Sequence, residues 1–396
     1  MDKRVSYFIT VFICCILLIV AFTCFFNEKQ KPAAVTTKTV PLVIKADQPS
    51  ILPNWTDGKY HDYFGTTKML NGFNENYPEL VKVFSIGKSV LGKDIWCIRI
   101  TNEKSKGEKS SCLIDGCVHG SEWEAGEACL YLAEYLLINF DGNETITHIL
   151  NSSEVYIVPL FNSDGRQIDY RFNENGIDLN RNFDIDFGRI RGCSIPLGKL
   201  FGRIKIPYIE FPLLNKWFPK IFPSVVTNSG RHPFSEPETQ AMRDLMKELD
   251  KKDFSFYLNC HTSGLIFFIP WGAFKPPFEI SKQEQNIYNY VIDWFVDNTE
   301  YKNVESTYKG VSYKMSGSAQ DWCFKEFHIP SFAVDFLSSD LEPMVSGGKH
   351  INLVYWMKTT LPVFMYLLVN IDNLRLWRTP DIQPPLPEGV PPEPLK

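Results

Sequence analysis

A histidine and a carboxylate stand three residues apart in His119-Gly120-Ser121-Glu122, directly after the apolar run Cys112–Val118. Imidazole and carboxylate are both good zinc ligands, and a catalytic zinc takes three protein ligands and keeps one position open. Short pairs of this kind arise often by chance, and a capping or surface role would use the same residues. A second imidazole, His261, ends another apolar run in Asn259-Cys260-His261-Thr262-Ser263-Gly264. A histidine so placed can equally be a hydrogen-bonded core residue. Two apolar runs that each end in an imidazole, one with a carboxylate beside it, point to a metal site at the edge of a sheet, where open α/β folds gather ligands. A third stretch, Arg171–Phe183, crowds Arg171, Arg181 and several asparagines into a polar loop. The guanidinium fork matches a carboxylate or an oxyanion; a solvated loop is the alternative.

The elements that must position these residues alternate in type. Strands are predicted over Ile95–Ile100, Cys112–Val118, Val155–Leu160, Phe254–Cys260, Leu265–Pro270 and Pro330–Leu337. Helical spacing runs over Trp123–Phe140, Met242–Leu249, Gln283–Val296 and His350–Ile371. Ser235-Glu236-Pro237-Glu238 reads as a capping box with proline in the first turn. This alternation predicts an α/β fold, an α/β/α sandwich around a mixed, mainly parallel sheet. Cys112 and Cys117 fall an odd separation apart on one predicted strand and so should face opposite sides. Three of the ten cysteines lie in an N-terminal apolar segment, and the other seven show neither a disulfide framework nor a Cys-x-x-Cys metal site. Buried thiols are expected.

The chain has 396 residues, 44% hydrophobic and 22% charged, enough to bury a core. Its net charge of -5 offers no basic face for nucleic acid. Lys3 and Arg4 precede an uncharged stretch, Tyr7–Phe26, long enough to span a bilayer as one N-terminal transmembrane helix. A cleaved signal has an apolar region of only about 7–15 residues, so residues 1–26 fit an uncleaved anchor better than a signal. The basic residues before it favour a domain outside the cytoplasm, membrane-anchored or secreted. Sequons at Asn54, Asn143 and Asn151 agree with export. Residues 27–52 form a linker, 53–378 the main domain and 379–396 a proline-rich tail. Inside the domain, residues 185–228 mix Phe, Trp, Ile and Leu with Lys and Arg. Such an insertion suits a membrane surface or a roof over the site; an ordinary packed insertion is the alternative.

In order along the chain stand His119-Gly-Ser-Glu122, the Arg171 loop with Asp178-Leu-Asn-Arg-Asn-Phe183, Pro233-Phe-Ser-Glu-Pro-Glu-Thr239, the His261 strand end and Ser316-Gly-Ser-Ala-Gln-Asp-Trp322. With these blocks the sequence resembles the zinc metallocarboxypeptidases of the carboxypeptidase A type. The resemblance implies one Zn2+ held by His119, Glu122 and His261, with Asp178 orienting His119 as metal-bound histidines require. It further implies that Arg171 stabilises an oxyanion, that Asn180 and Arg181 hold the terminal carboxylate of a peptide or protein substrate, and that Tyr313 closes over it. The general base falls on Asp335, where the family carries glutamate. Aspartate is one methylene shorter, and a misplacement of about 1 Å can lower a rate on the order of a hundredfold. Ser121 stands where many members carry an arginine that helps bind the substrate backbone. The side-chain pocket falls on Phe268, Gly272, Met315, Gln320 and Ala333, all uncharged, which implies release of neutral or apolar residues. Two other classes stay open: a related zinc amidase acting on cell-wall peptides or acylated amino acids, and a non-catalytic zinc-binding homologue.

Overall fold

Strand β3 (Ser110–Asp115) is buried along its whole length, and β5 (Phe254–Thr262) is buried from Phe254 to His261. Strands covered on both faces carry apolar residues continuously rather than alternately, which is why Cys112–Ile114 and Phe256–Leu258 read as unbroken runs. These two strands lie side by side and parallel at the centre of an eight-stranded sheet of order β1-β2-β4-β3-β5-β8-β6-β7. The flanking strands are β1 (Val81–Lys88), β2 (Asp94–Ile100), β4 (Ser153–Val158), β6 (Ile266–Phe268), β7 (Asn303–Glu305) and β8 (Ser331–Phe336). Pairing is parallel for β4-β3, β3-β5, β5-β8 and β6-β7, and antiparallel elsewhere. The predicted mixed, mainly parallel sheet with helices is present. The computed structural model describes residues 60–188, 229–262, 264–273, 275–299, 303–305, 315–336 and 353–375. Residues 1–26, expected to be an anchor or signal, residues 27–52, expected to be a linker, residues 189–228 of the expected insertion, Tyr313 and residues 379–396 lie outside the described residues. Among the described residues no helix is long and apolar enough to cross a membrane.

The helices are α1 (Tyr63–Asn76), α2 (Trp123–Asn139), α3 (Glu144–Ser152), α4 (Ser163–Gln167), α5 (Pro237–Asp250), α6 (Lys282–Asn298), α7 (Ala319–Phe327), α8 (Leu353–Val369) and α9 (Ile371–Arg375). Helix α2 is buried on nearly every side, including Glu124, Glu127 and Glu134. Two of these acids are paired inward: Glu127 accepts from the His61 backbone N–H, and Glu124 from the Tyr60 hydroxyl.

Three local readings are corrected. The strand predicted over Cys112–Val118 stops at Asp115. Cys117 has left it, with φ 53°, and its Sγ meets the Glu122 carbonyl at 3.0 Å. The facing rule for Cys112 and Cys117 therefore does not apply. The capping box at Ser235 is not formed. Helix α5 does start at Pro237, but its N-cap is Glu236, which makes no side-chain cap. Other partners take the side chains instead: Ser235 Oγ donates to its neighbour Glu236 Oε1 and accepts from Asn182 Nδ2, and the Glu238 carboxylate accepts from Val90 N–H and Asn173 Nδ2. A capping box does form at Ser281 and Glu284, opening α6. Finally, α1, β1, α3, α4, β7 and α7 were missed. Strand β1 lies at an edge of the sheet and is only partly buried, so its sequence carries a weak apolar signal. The buried-thiol expectation holds: all six described cysteines are free and buried.

Candidate metal centre and active site

His119 and Glu122 stand in the connection from β3 to α2, and Glu122 is the N-cap of that helix. The connection bends back sharply against α4. A Cβ on Gly120 would sit 2.1 Å from the Gly165 carbonyl carbon, so only glycine lets the two backbones approach. His261 comes from β5, the neighbouring parallel strand. The parallel arrangement brings these two C-terminal strand ends together, and α2 carries Glu122 to the same point.

The three side chains converge. His119 Nδ1 lies 2.7 Å from Glu122 Oε1, His261 Nδ1 lies 2.9 Å from Glu122 Oε2, and the two Nδ1 atoms are 3.2 Å apart. All three groups are buried or nearly so, and their donor atoms fall within 4.8 Å of one another. Each imidazole is held from behind by its other nitrogen. His119 Nε2 faces Asp178 Oδ1 at 3.1 Å, and His261 Nε2 faces Asn259 Oδ1 at 2.5 Å. The nearest outer partner of each is an acceptor, the Asn180 Nδ2 donor standing farther from His261 Nε2 at 3.1 Å, so the Nε2 atoms carry the protons. Each Nδ1 lone pair is left pointing at the common centre. That is the tautomer a metal ligand needs, and two imidazoles with a carboxylate suit zinc.

Electrostatics follow from burial and charge. Burial alone would raise the Glu122 carboxyl, but the two histidines overcome it and hold it below the usual carboxylate range. Burial would lower His261, but Glu122 and, less strongly, Asp335 raise it instead. A site that favours a proton on an imidazole at its centre is electronegative, and the same field favours a divalent cation. Asp178 is driven well below its ordinary value because Arg171, His119 and Arg181 outweigh its burial.

The sequence-predicted residues divide as follows. Arg171 Nη2 pairs with Asp178 Oδ2 at 2.9 Å, and its Nη1 lies 3.2 Å from His119 Nδ1 and 3.5 Å from Glu122 Oε1. The guanidinium thus borders the cluster. Asp178 also accepts the Asn180 N–H at 3.0 Å. The Asn180 side chain is engaged within the protein: Oδ1 accepts the Ala319 N–H at 2.8 Å, and Nδ2 lies 3.1 Å from His261 Nε2 and 3.4 Å from Asn259 Oδ1. Arg181 is almost buried and donates from Nη1 to the Asn180 carbonyl. Gly317, at φ 71°, packs so closely on Arg181 that a Cβ would lie 2.1 Å from its carbonyl oxygen. Asp335 lies on β8 with its Cα registered against His261 on β5, and it is only half-buried. Ser121 is exposed, and Tyr313 lies outside the described residues.

In the predicted pocket, Phe268 pairs with Ala333 across β6 and β8. Gly272 lies against Met315, where a Cβ would meet Met315 Cε at 2.8 Å. An acid stands beside them: both Asp321 oxygens accept backbone N–H groups, from Gly272 at 3.1 Å and Ala273 at 2.8 Å. Burial pushes its carboxyl up to about 7. Gln320 is buried, and its Nε2 has no hydrogen-bond partner among the described residues. Sequence reasoning missed Asp115, Tyr257 and Asn259 behind His261. The period of a strand was the available signal for Asn259, which lies two residues before His261 and so on its face.

A mixed sheet whose central strand ends carry a His-Glu-His cluster defines a metallohydrolase-like α/β protein. The family model described as zinc carboxypeptidase matches residues 66–342, and the chain belongs to that family of zinc-dependent metallocarboxypeptidases. Among similar proteins, carboxypeptidase O of Bos taurus is 24% identical over 316 residues, covering 75% of this chain and 75% of that one. Carboxypeptidase A6 of Mus musculus is 24% identical over 300 residues, 70% of this chain and 60% of the relative. Among solved structures, thrombin activatable fibrinolysis inhibitor superposes with TM-score 0.63 at 18% identity, covering 83% of this chain and 78% of that one. The carboxypeptidase A from Helicoverpa armigera gives 0.61 at 20% identity, with coverages of 84% and 77%. These likenesses establish the fold.

Proposed function

We propose that the protein is a zinc exopeptidase that removes C-terminal residues, neutral or apolar ones by preference, from peptides or proteins outside the cytoplasm. The observation that carries this is the arrangement of His119, Glu122 and His261, with both outer imidazole nitrogens tied to acceptors and both Nδ1 lone pairs turned inward. These three residues would hold the zinc. When bound, zinc supplies Lewis acidity toward the scissile carbonyl and lowers the pKa of a water toward about 7.

The protein's own groups do the rest. Asp335 neighbours His261 across the parallel register, on the same side of the sheet. It takes a proton from the attacking water and returns it to the leaving amine. Arg171, at the margin of the cluster, faces the carbonyl oxygen as negative charge grows there. Arg181, helped by Asn180, receives the substrate's terminal carboxylate, for which the planar fork is suited. Tyr313 closes over the bound chain end. The pocket around Gly272 and Met315 disfavours a cationic side chain, because the one acid beside it, Asp321, is held toward its neutral form by burial and already accepts the Gly272 and Ala273 N–H groups. Residues 7–26 anchor the domain to a membrane.

The test compares one peptide as free acid and as C-terminal amide, with products read by mass spectrometry. Hydrolysis of the acid alone is expected. Equal rates on both would overturn the carboxypeptidase reading in favour of an amidase, and no release from either by the zinc-loaded protein would favour a binding protein.

A further inference from the structure

Behind His261 runs a buried chain of hydrogen bonds that ends on an acid. His261 Nε2 meets Asn259 Oδ1, Asn259 Nδ2 donates to Asp115 Oδ1 at 2.5 Å, and the Tyr257 hydroxyl donates to Asp115 Oδ2 at 2.5 Å. Asp115, Tyr257 and Asn259 are each fully buried. They come from the two central parallel strands, where Asp115 and Asn259 are register partners. We propose that Asp115 and Asn259 are positioning residues that fix the tautomer of His261 and so present its Nδ1 lone pair to the metal. The proposal rests on His261 being a zinc ligand.

The argument is one of forced choices. An ionised carboxylate only accepts, so it admits only the NH2 end of the Asn259 amide. Turning the amide over would set two oxygens against each other at contact distance, with no water to separate them. The amide oxygen therefore faces His261. That oxygen, at 2.5 Å, is closer than the Asn180 NH2 at 3.1 Å and requires a proton on Nε2, which in the neutral ring leaves Nδ1 unprotonated and aimed at Glu122. Without Asp115 the amide can rotate and present NH2 to Nε2. The proton then moves to Nδ1, where it blocks the metal. Tyr257 occupies the other Asp115 oxygen and so keeps the carboxylate from rotating. His119 is served differently, since Asp178 reaches its Nε2 directly.

The experiment uses the full chain, with zinc affinity read by chelator competition. The ring 15N shifts of His261 are read by NMR in the metal-free state, at a pH high enough to keep the imidazole neutral against the pull of Glu122. The parent should show the Nε2–H tautomer. Asp115→Asn should weaken zinc binding about 10–100-fold and bring in the Nδ1–H form. Asn259→Ala should weaken it similarly. Adding Asp115→Asn to Asn259→Ala should cause little further loss, because the acid acts through the amide. Parent affinity with an unchanged tautomer in a folded Asp115→Asn protein would overturn the proposal, as would fully additive losses. If Asp115→Asn fails to fold, Asn259→Ala decides alone, and unchanged affinity there overturns the proposal too. Full zinc occupancy in His261→Ala would instead remove the ligand assignment beneath it.

Discussion

The two flanks of the metal cluster are built on different principles. On the loop flank, His119, Glu122, Arg171 and Asp178 come from two connections and hold one another by charge. Arg171 pairs with Asp178, Asp178 faces His119, and His119 faces Glu122. On the strand flank, His261 and Asp335 are set by the backbone ladder, which pairs their Cα positions directly, and His261 is steadied by a neutral amide. A loop has no ladder to fix its side chains, so it uses a network of opposite charges, which buried geometry makes strong but also demanding. A strand gets its precision from register, where one-residue slips would reverse every side chain. The loop flank should therefore be the part sensitive to charge removal, and the strand flank the part sensitive to shape and reach.

The sharpest break lies on the strand flank. Asp335→Asn keeps the shape and removes the base. Turnover should fall about 10²–10⁴-fold, while zinc stoichiometry stays at the parent level. A variant that turned over at the parent rate would show that the proton travels by another route. On the loop flank, Arg171→Ala should lower kcat about 10²–10³-fold with a smaller change in zinc affinity, since Asp178 still accepts from His119 and Asn180. An unaltered kcat would detach Arg171 from the reaction. Asp178→Ala should act through the metal, weakening zinc about 10–100-fold and leaving Arg171 without its main anion. Chelator competition measures it, and parent affinity would mean that Arg171 and Glu122 suffice to orient His119.

The smallest expected effect tests the pocket wall beside the strand flank. Burial pushes the Asp321 carboxyl up to about 7 and the Asp115 carboxyl up to about 6, against about 3.9 in an unfolded chain. Between those values the folded state holds protons that the unfolded state has released, so stability should fall as pH rises from about 4 toward 7. Asp321→Asn should flatten part of that decline in the metal-free protein. The recovery at neutral pH should be about 1–2 kcal/mol, because the amide also surrenders one acceptor for the Gly272 and Ala273 N–H groups. Thermal melts across the range read it out as about 2–4 °C per kcal/mol. An undiminished pH slope would place the raised titration elsewhere.

Much of this molecule was legible before any coordinates. The apolar runs that became β3, β5 and β8, and the helical period of α2 and α6, follow from local burial patterns that a linear sequence displays. So do the residue types of the cluster, because zinc chemistry restricts them to a few side chains. What the sequence could not order was everything that depends on a distant partner. Ser235 and Glu238 fit a capping box by spacing, yet Asn182 takes Ser235 and Val90 and Asn173 take Glu238 from across the fold. Cys117 reads as strand, yet the strand ends at Asp115 and the chain turns at Cys117, φ 53°, on the way to His119 and Glu122. Asn259 and Asp115 are 144 positions apart and carry no mutual signal in one sequence; only the pairing of β3 with β5 joins them. Local propensity is decided over a few residues, whereas the proton on an imidazole is decided by whichever acceptor the sheet register brings behind it. The sequence alone therefore named the ligands by type, and the tertiary structure determined which nitrogen of each would be free to bind.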